Sequence, residues 1–405
     1  MIKNLQKLLA IPSVTGTPEV FDALACVLDI CKELGFRTKN VDGKLGYAEI
    51  GEGEELMGIL CHLDVVPAGE GWTCEPFAGT VKEDRIYGRG VMDDKGPAMA
   101  AIYAMKDVLE SGKKLNKRVR IIFGVMEECG DWEDMEYYKS CEEIPSFGFT
   151  PDADFPAIYG EKGILMAVLS MDAAKAGFLE IAGGDAPNMV AAWAKGKLLD
   201  GSVFQETGKA AHGSTPEDGE NAITKLMEKA AARDCHFAKV YMDKIGWCLD
   251  GSGCGIGLSD SASGGLTFNA GKISMDDGKV KLAVDIRYPV TYAEEDVVSK
   301  LCDNFADAEI AVEIEAAMKP VYMAQDGFVI SKLMEAYREV TGDDTPPQLI
   351  GGGTYARAMD NIVAFGPAFP GRELTEHQAN EWIFTEDLEK AREIYRLAIE
   401  KLACE

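Results

Sequence analysis

ILCHLDVVPAGEGW, residues 59–72, opens as an apolar run that reads as a buried strand and breaks at Pro67 and Gly69. Between run and break stand His62 and Asp64. The chain has only four histidines in 405 residues, and one of them sits where a core strand runs out. Positions i and i+2 of a strand point to the same face, so His62 and Asp64 share one there. An isolated His-x-Asp also occurs as a locally satisfied histidine at a strand end, so the surrounding segments decide its meaning.

Working outward, residues 18–35 (PEVFDALACVLDICKELG) carry apolar residues at helical spacing and stop at Gly35. Residues 56–66 read as the buried strand, and 95–111 (KGPAMAAIYAMKDVLES) as a helix closed by Gly112. RVRIIFGVMEE, 118–128, is a second apolar strand ending in acids. The alternation predicts an α/β domain with a mostly parallel central sheet. Ligands of such sheets bind beyond the carboxyl ends of the strands, the edge on which His62 and Glu127/Glu128 fall.

From about residue 163 the pattern changes to strands and hairpins (LTFNAGKISMDDGKVKLAVDIRYP, 266–289), with helices expected at 220–232, 293–306 and 327–341. The chain returns through IGGGTYAR, 350–357, to a strand near 362–366 and a helix over 385–403. The expected organisation is a discontinuous catalytic domain, 1–162 and 349–405, with an α+β lid, 163–348, inserted into it. Two domains also follow from length, since single cores stop growing beyond ~250–300 residues.

A net charge of −27 argues against nucleic acid and anionic membrane surfaces as partners. No apolar stretch approaches the roughly 18–20 residues of a membrane span. MIKNLQKLLAIPSVTG reads as a short amphipathic helix ending before Pro12, not as a signal peptide. Eleven cysteines, irregularly spaced and without a CxxC, point to reduced thiols in a cytoplasm. Cys61 and Cys129 neighbour candidate ligands, but such residues more often pack as small apolar side chains.

Four further stretches bear on the opening one: YGRGVMDDKGP (87–97), VMEECG (125–130), TPDADFP (150–156) and TEHQANE (375–381). Each puts a carboxylate or imidazole in a loop after a strand or turn. His62, Asp93, Glu128, Asp152 and His377 form a set of two imidazoles and three carboxylates. Such a set suits zinc, with manganese or cobalt as substitutes. If one carboxylate bridges, five ligands serve two ions at three each and leave positions open for water and substrate.

In this order, HLDVVPAG, GRGVMDDKG, MEECG, PDADFP and HQANE resemble the dinuclear zinc peptidases that include aminoacylase, carnosinase, succinyl-diaminopimelate desuccinylase and carboxypeptidase G. PDADFP, YGEKG, AHGSTPEDGENA, DIRYP, GGGTYAR and HQANE are most similar to the PepV-type dipeptidases. The resemblance runs from about residue 8 to the C-terminal helix. It implies that His62, Asp93 and Asp152 hold one metal and Asp93, Glu128 and His377 the other, with Asp93 bridging. It also implies a usually cis peptide bond after Asp93, and leaves Asp94 a solvated or helix-capping acid.

The resemblance further implies Glu127 as the general base for a metal-bridged hydroxide, and His212 as a lid histidine stabilising the oxyanion. Asp64 fits the carboxylate that takes the other N–H of a metal-bound imidazole. Arg287, Asn188, Gly353 and Thr354 are expected substrate contacts, with Arg287 matched to a peptide carboxylate. His236 lies outside any motif and is read as structural. The chain is shorter than typical PepV-type members, with the stretch between Asn188 and His212 contracted. A monomer is expected, with a lid-mediated homodimer as the alternative. The expected activity is cytoplasmic, zinc-dependent hydrolysis of short unblocked peptides. The alternatives are an N-acyl amino-acid amidohydrolase and a metal- or ligand-binding relative without turnover.

Overall fold

The computed structural model describes residues 1–130 and 132–404. The chain divides into two compact units. The first comprises Met1–Tyr159, Met323–Gln348 and the chain from Thr354 on; the second comprises Gly160–Tyr322 and Leu349–Gly353.

In the first unit the strands run in the order Arg37–Val41, Leu45–Ile50, Arg118–Gly124, Leu56–His62, Phe147–Thr150, Ile362–Ala364. The first two pairings are antiparallel; from Arg118–Gly124 through Ile362–Ala364 the strands are parallel. Every residue of Leu56–His62 is buried, which is why this strand reads as an unbroken apolar run rather than an alternating one. The helices Lys95–Glu110 and Thr385–Ala403 pack against each other, the first also against the central strands.

Both central strands are shorter than their apolar runs. Leu56–His62 ends with the pair His62↔Gly124, and Val65 instead bridges Val14. Arg118–Gly124 ends where the buried carboxylate of Asp134 accepts the N–H of Val125 at 2.7 Å and turns the chain. A Cβ on Gly124 would meet the Tyr355 hydroxyl at 2.3 Å, so only glycine lets that ring close over the strand end.

The second unit is a seven-stranded antiparallel sheet in the order Val203–Thr207, Trp193–Leu198, Phe178–Gly183, Thr267–Asp276, Lys279–Tyr288, Gly163–Asp172, Ala311–Met318. Along Lys279–Tyr288 the residues Val280, Leu282, Val284, Ile286 and Tyr288 enter one core with Leu226, Phe237 and Leu301 from three helices. The alternate residues Asp285 and Arg287 therefore stand on the opposite face.

The division differs from the expected boundaries at three places, the first being that the second unit begins at Gly160 rather than at 163. The helix Phe328–Thr341, expected in the lid, belongs to the first unit and packs on Thr385–Ala403. Its apolar stripe from Val329 to Tyr337 is buried there, with Tyr337 stacked on Phe155 at 5.5 Å. Conversely, Leu349–Gly353 belongs to the second unit.

Candidate active site

Four loops leave the carboxyl edge of the parallel strands or stand beside it, and they bring the five candidate ligands together. His62 is the last residue of its strand. Its Nε2 lies 2.8 Å from Asp93 Oδ1 and 3.7 Å from Asp152 Oδ2. His377 Nε2 lies 3.0 Å from Asp93 Oδ2 and 3.1 Å from Glu128 Oε2. The two oxygens of Asp93 thus face two different imidazoles. The peptide Asp93–Asp94 is cis. Glu127 joins the cluster: donor atoms of His62, Glu127 and Asp152, and likewise of His62, Asp93 and Glu128, lie within 4.8 Å of one another.

Asp64 does more than face His62. The nearest acceptor to His62 Nδ1 is the Asp64 backbone carbonyl at 3.0 Å, with the carboxylate at 3.5 Å. The carboxylate oxygens accept the N–H groups of Glu127 and Glu128, each at 3.2 Å, and the Thr15 hydroxyl at 2.9 Å. One buried acid therefore ties the histidine strand to the Glu127–Glu128 turn. Asp94 is not solvated: it is buried and its Oδ2 accepts the His62 N–H at 3.1 Å, so although it stands at the N-cap position of Lys95–Glu110 its side chain makes no capping hydrogen bond there.

The electrostatics suit a cation. Burial, then the charge of Asp93, pushes Asp152 up to about 7. Burial and the same crowding raise Glu127 well above the usual carboxylate range. Hydrogen bonds to Asp93 and Glu128 raise His377 to about 11. His62 is buried, which opposes its charge, yet Asp152, Asp64 and Asp93 outweigh that and raise it. A hard-oxygen and imidazole set this dense fits a divalent ion.

Tyr355 and Glu381 also hold this site, and the motif reading gave neither a role. Tyr355, from GGGTYAR, donates to Asp134 at 2.8 Å and sets its ring edge-on to His62 at 6.1 Å. Glu381, the last residue of TEHQANE, is buried and accepts three backbone N–H groups from Gly90, Met92 and Asp93. Thr354 is buried in the first unit, its hydroxyl accepting the Ala356 N–H at 3.1 Å. Cys61 is buried in its strand, and the exposed Cys129 donates to the Met126 carbonyl. All eleven cysteines are free.

The second unit gathers the remaining candidates. Arg287 is buried and pairs through Nε and Nη2 with both oxygens of Asp285, at 2.7 and 2.8 Å. Its Nη1 donates to the Gly351 carbonyl at 2.9 Å, two residues before Gly353. Asp285 was legible as a partner, since D-x-R on a strand shares a face, but its motif drew attention only to the arginine. The Asn188 carbonyl accepts the Gly213 N–H at 2.7 Å, and Met189 bridges His212. A Cβ on Gly213 would meet Asp285 Oδ2 at 2.6 Å, so a glycine after His212 permits this close approach. Burial, then the charge of Arg287, lowers His212.

Comparison with known proteins identifies the family of this chain. "Putative dipeptidase YtjP" of Bacillus subtilis is 35% identical over 454 aligned positions, spanning 100% of this chain and 97% of that protein. A "Putative dipeptidase" of Staphylococcus epidermidis is 35% identical over 460 positions, with the same coverage. Among solved structures, the M20 family metallo-carboxypeptidase Sso-CP2 of Sulfolobus solfataricus superposes with a TM-score of 0.64 at 18% identity, covering 99% of each chain. YXEP of Bacillus subtilis, described as a dinuclear metal binding peptidase from the M20 family, gives 0.57 at 13% identity, covering 98% of this chain and 96% of its own. Residues 58–401 match the peptidase family M20/M25/M40. The chain is a member of that family and a metallopeptidase.

Proposed function

We propose that the protein is a zinc-dependent dipeptidase acting on short unblocked peptides in the cytoplasm, a compartment that its eleven free thiols suit. The observation that carries the reading is the placement of Asp93, with one oxygen on each imidazole, inside a cluster that also holds Glu127. His62, Asp93 and Asp152 would hold one ion and Asp93, Glu128 and His377 the other, zinc being favoured and manganese or cobalt able to substitute. Bound there, two such ions would polarise the scissile carbonyl and acidify a water.

The chain's own groups do the rest. Glu127, raised by burial and by Asp152, takes the proton of the attacking water and returns it to the leaving nitrogen. Asp64 holds the backbone of Glu127 and Glu128 while it orients His62. His212 acts as a neutral donor. Its Nδ1 accepts the Ser214 N–H at 3.2 Å and lies 2.7 Å from the Ser214 hydroxyl, which leaves the proton on Nε2 to bind the oxyanion of the tetrahedral intermediate. Arg287, braced by Asp285, takes the terminal carboxylate of the substrate. Asn188 and the Gly353–Thr354 segment contribute polar contacts to the peptide.

Metal-dependent turnover of a panel of free dipeptides, set against N-acetyl and N-succinyl amino acids, tests this function. Dipeptides are expected to be the better substrates; preference for the acylated amino acids would establish the amidohydrolase instead. The same assay tests Arg287. Lysine supplies charge without the planar fork and cannot hold both Asp285 and the Gly351 carbonyl. Arg287→Lys is expected to weaken dipeptide kcat/KM by roughly 1.5–3 kcal/mol, the worth of a hydrogen bond to a charged group. C-terminally amidated dipeptides should change far less. Equal losses on both would mean that Arg287 serves only to hold its own unit together.

Metal binding is also expected to release protons. Hydrogen bonds to Asp93 and Glu128 raise His377 to about 11, and the carboxylates around His62 raise it in the same direction, which favours imidazolium at pH 7, whereas a ligating imidazole is neutral. A metal must displace those protons, so its apparent affinity should rise with pH, with roughly one proton released per imidazole. Calorimetry in buffers of different ionisation enthalpy measures this. A heat independent of buffer would contradict the ligand assignment.

A further inference from the structure

We infer that Glu381 is a positioning residue that holds the backbone beneath Asp93, an inference that rests on Asp93 serving as a metal ligand. Glu381 is 1% exposed, as is its partner Arg89. Its Oε1 accepts the N–H of Met92 at 2.8 Å and of Asp93 at 3.3 Å. Its Oε2 accepts the N–H of Gly90 at 3.1 Å and Arg89 Nη1 at 2.7 Å. All four donors belong to residues 89–93. A single carboxylate thereby sets the path of the segment that ends in the residue facing both imidazoles.

The same residue gathers the other ligand-bearing segments. Arg89 Nη2 reaches the carbonyls of Pro67 and Ala68, at 3.4 and 3.3 Å, in the loop that follows His62. The Glu381 carbonyl accepts the Gly88 N–H at 3.0 Å. Glu381 stands four residues after His377, and between them Asn380 accepts the Thr73 N–H at 2.7 Å. The segments carrying His62, Asp93 and His377 therefore meet around one buried ion pair. A carboxylate this deep is costly unless fully paired, and here its partners are the amides of the ligand-bearing chain.

Glutamine cannot replace it, although it has the same shape. Both oxygens accept, so an amide must turn its NH2 group toward Gly90 and Arg89 or toward Met92 and Asp93, donor against donor. Partners that orient metal ligands typically change metal affinity by ~10–100-fold when removed, and that range is expected for Glu381→Ala and, because of the misplaced NH2, for Glu381→Gln.

The test compares Glu381→Ala, Glu381→Gln, Asp93→Ala and Arg120→Met with the unsubstituted protein. Arg120→Met breaks a different buried pair, Arg120 with Glu49, in the same unit, and controls for destabilisation alone. Zinc affinity is measured by competition with a chromophoric chelator, and hydrogen exchange is followed in peptides covering residues 89–93 of the metal-free proteins. Both Glu381 variants should bind zinc ~10–100-fold more weakly and exchange faster at residues 90–93, whereas Arg120→Met lowers Tm and leaves both readouts unchanged. Unchanged exchange in Glu381→Ala and Glu381→Gln, or affinity within twofold of the unsubstituted protein while Asp93→Ala loses zinc, would overturn the inference. An equal affinity loss in Arg120→Met would overturn it too, by reducing it to general stability. Full zinc retention by Asp93→Ala would instead refute the ligand assignment, and the exchange data would then decide whether Glu381 fixes the segment at all.

Discussion

Glu127→Ala is expected to keep its metals and lose turnover by ~10²–10⁴-fold, the contribution of a positioned general acid–base group. The backbone around Glu127 is fixed independently of its carboxylate. Its N–H donates to Asp64, and its carbonyl accepts from Gly130 N–H and Trp132 Nε1, both at 3.0 Å. Truncating the side chain should therefore leave Glu128 and His62 where they are. The structure also supplies the competing outcome, because Glu127 lies within donor distance of His62 and Asp152. If the variant loses an equivalent of metal along with activity, Glu127 is a ligand and the proton carrier must be another group. Metal analysis beside steady-state kinetics separates the two. Near-normal turnover with full metal content would remove Glu127 from the chemistry altogether.

The second large effect is expected at Asp93. Its two oxygens approach His62 and His377 at 2.8 and 3.0 Å, so a carboxylate at this position serves both halves of the cluster. Asp93→Ala should abolish binding at both positions and leave no measurable hydrolysis. His62→Ala should remove one ion preferentially, since Asp93, Glu128 and His377 remain. Asp94 cannot take over, for its Oδ2 is directed to the His62 N–H and the residue is fully buried. The loss in Asp93→Ala should exceed the ~10–100-fold range seen when only a supporting partner is removed. Element analysis after dialysis gives the count. Loss of a single ion in both variants would show that the carboxylate does not bridge.

Much of the first unit was legible because its physics is local. The apolar run ending in His62, the helical spacing of 18–35 and 95–111, and the acids after the second strand each state an element and its end. Strands alternating with helices then require a parallel sheet, and parallel strands send their carboxyl ends to one edge. His62, Glu127 and Glu128 could therefore be expected on a common edge before any distance was known.

The sequence by itself determined the α/β character of the first unit, the hairpin-rich α+β character of the second, the ordered motif set and the residue types available for chemistry. The tertiary structure alone decided how those residues are held. The Asp64 carboxylate lies on the Glu127–Glu128 amides, Tyr355 closes over Gly124, and Glu381 collects residues 89–93. The helix Phe328–Thr341 likewise packs in the first unit. Each of these depends on a partner distant in sequence or on a choice among several acceptors. Periodicity and spacing describe which face a side chain occupies along its own element; they carry no information about which backbone amide from another segment arrives at that face, because that is settled only when the elements pack.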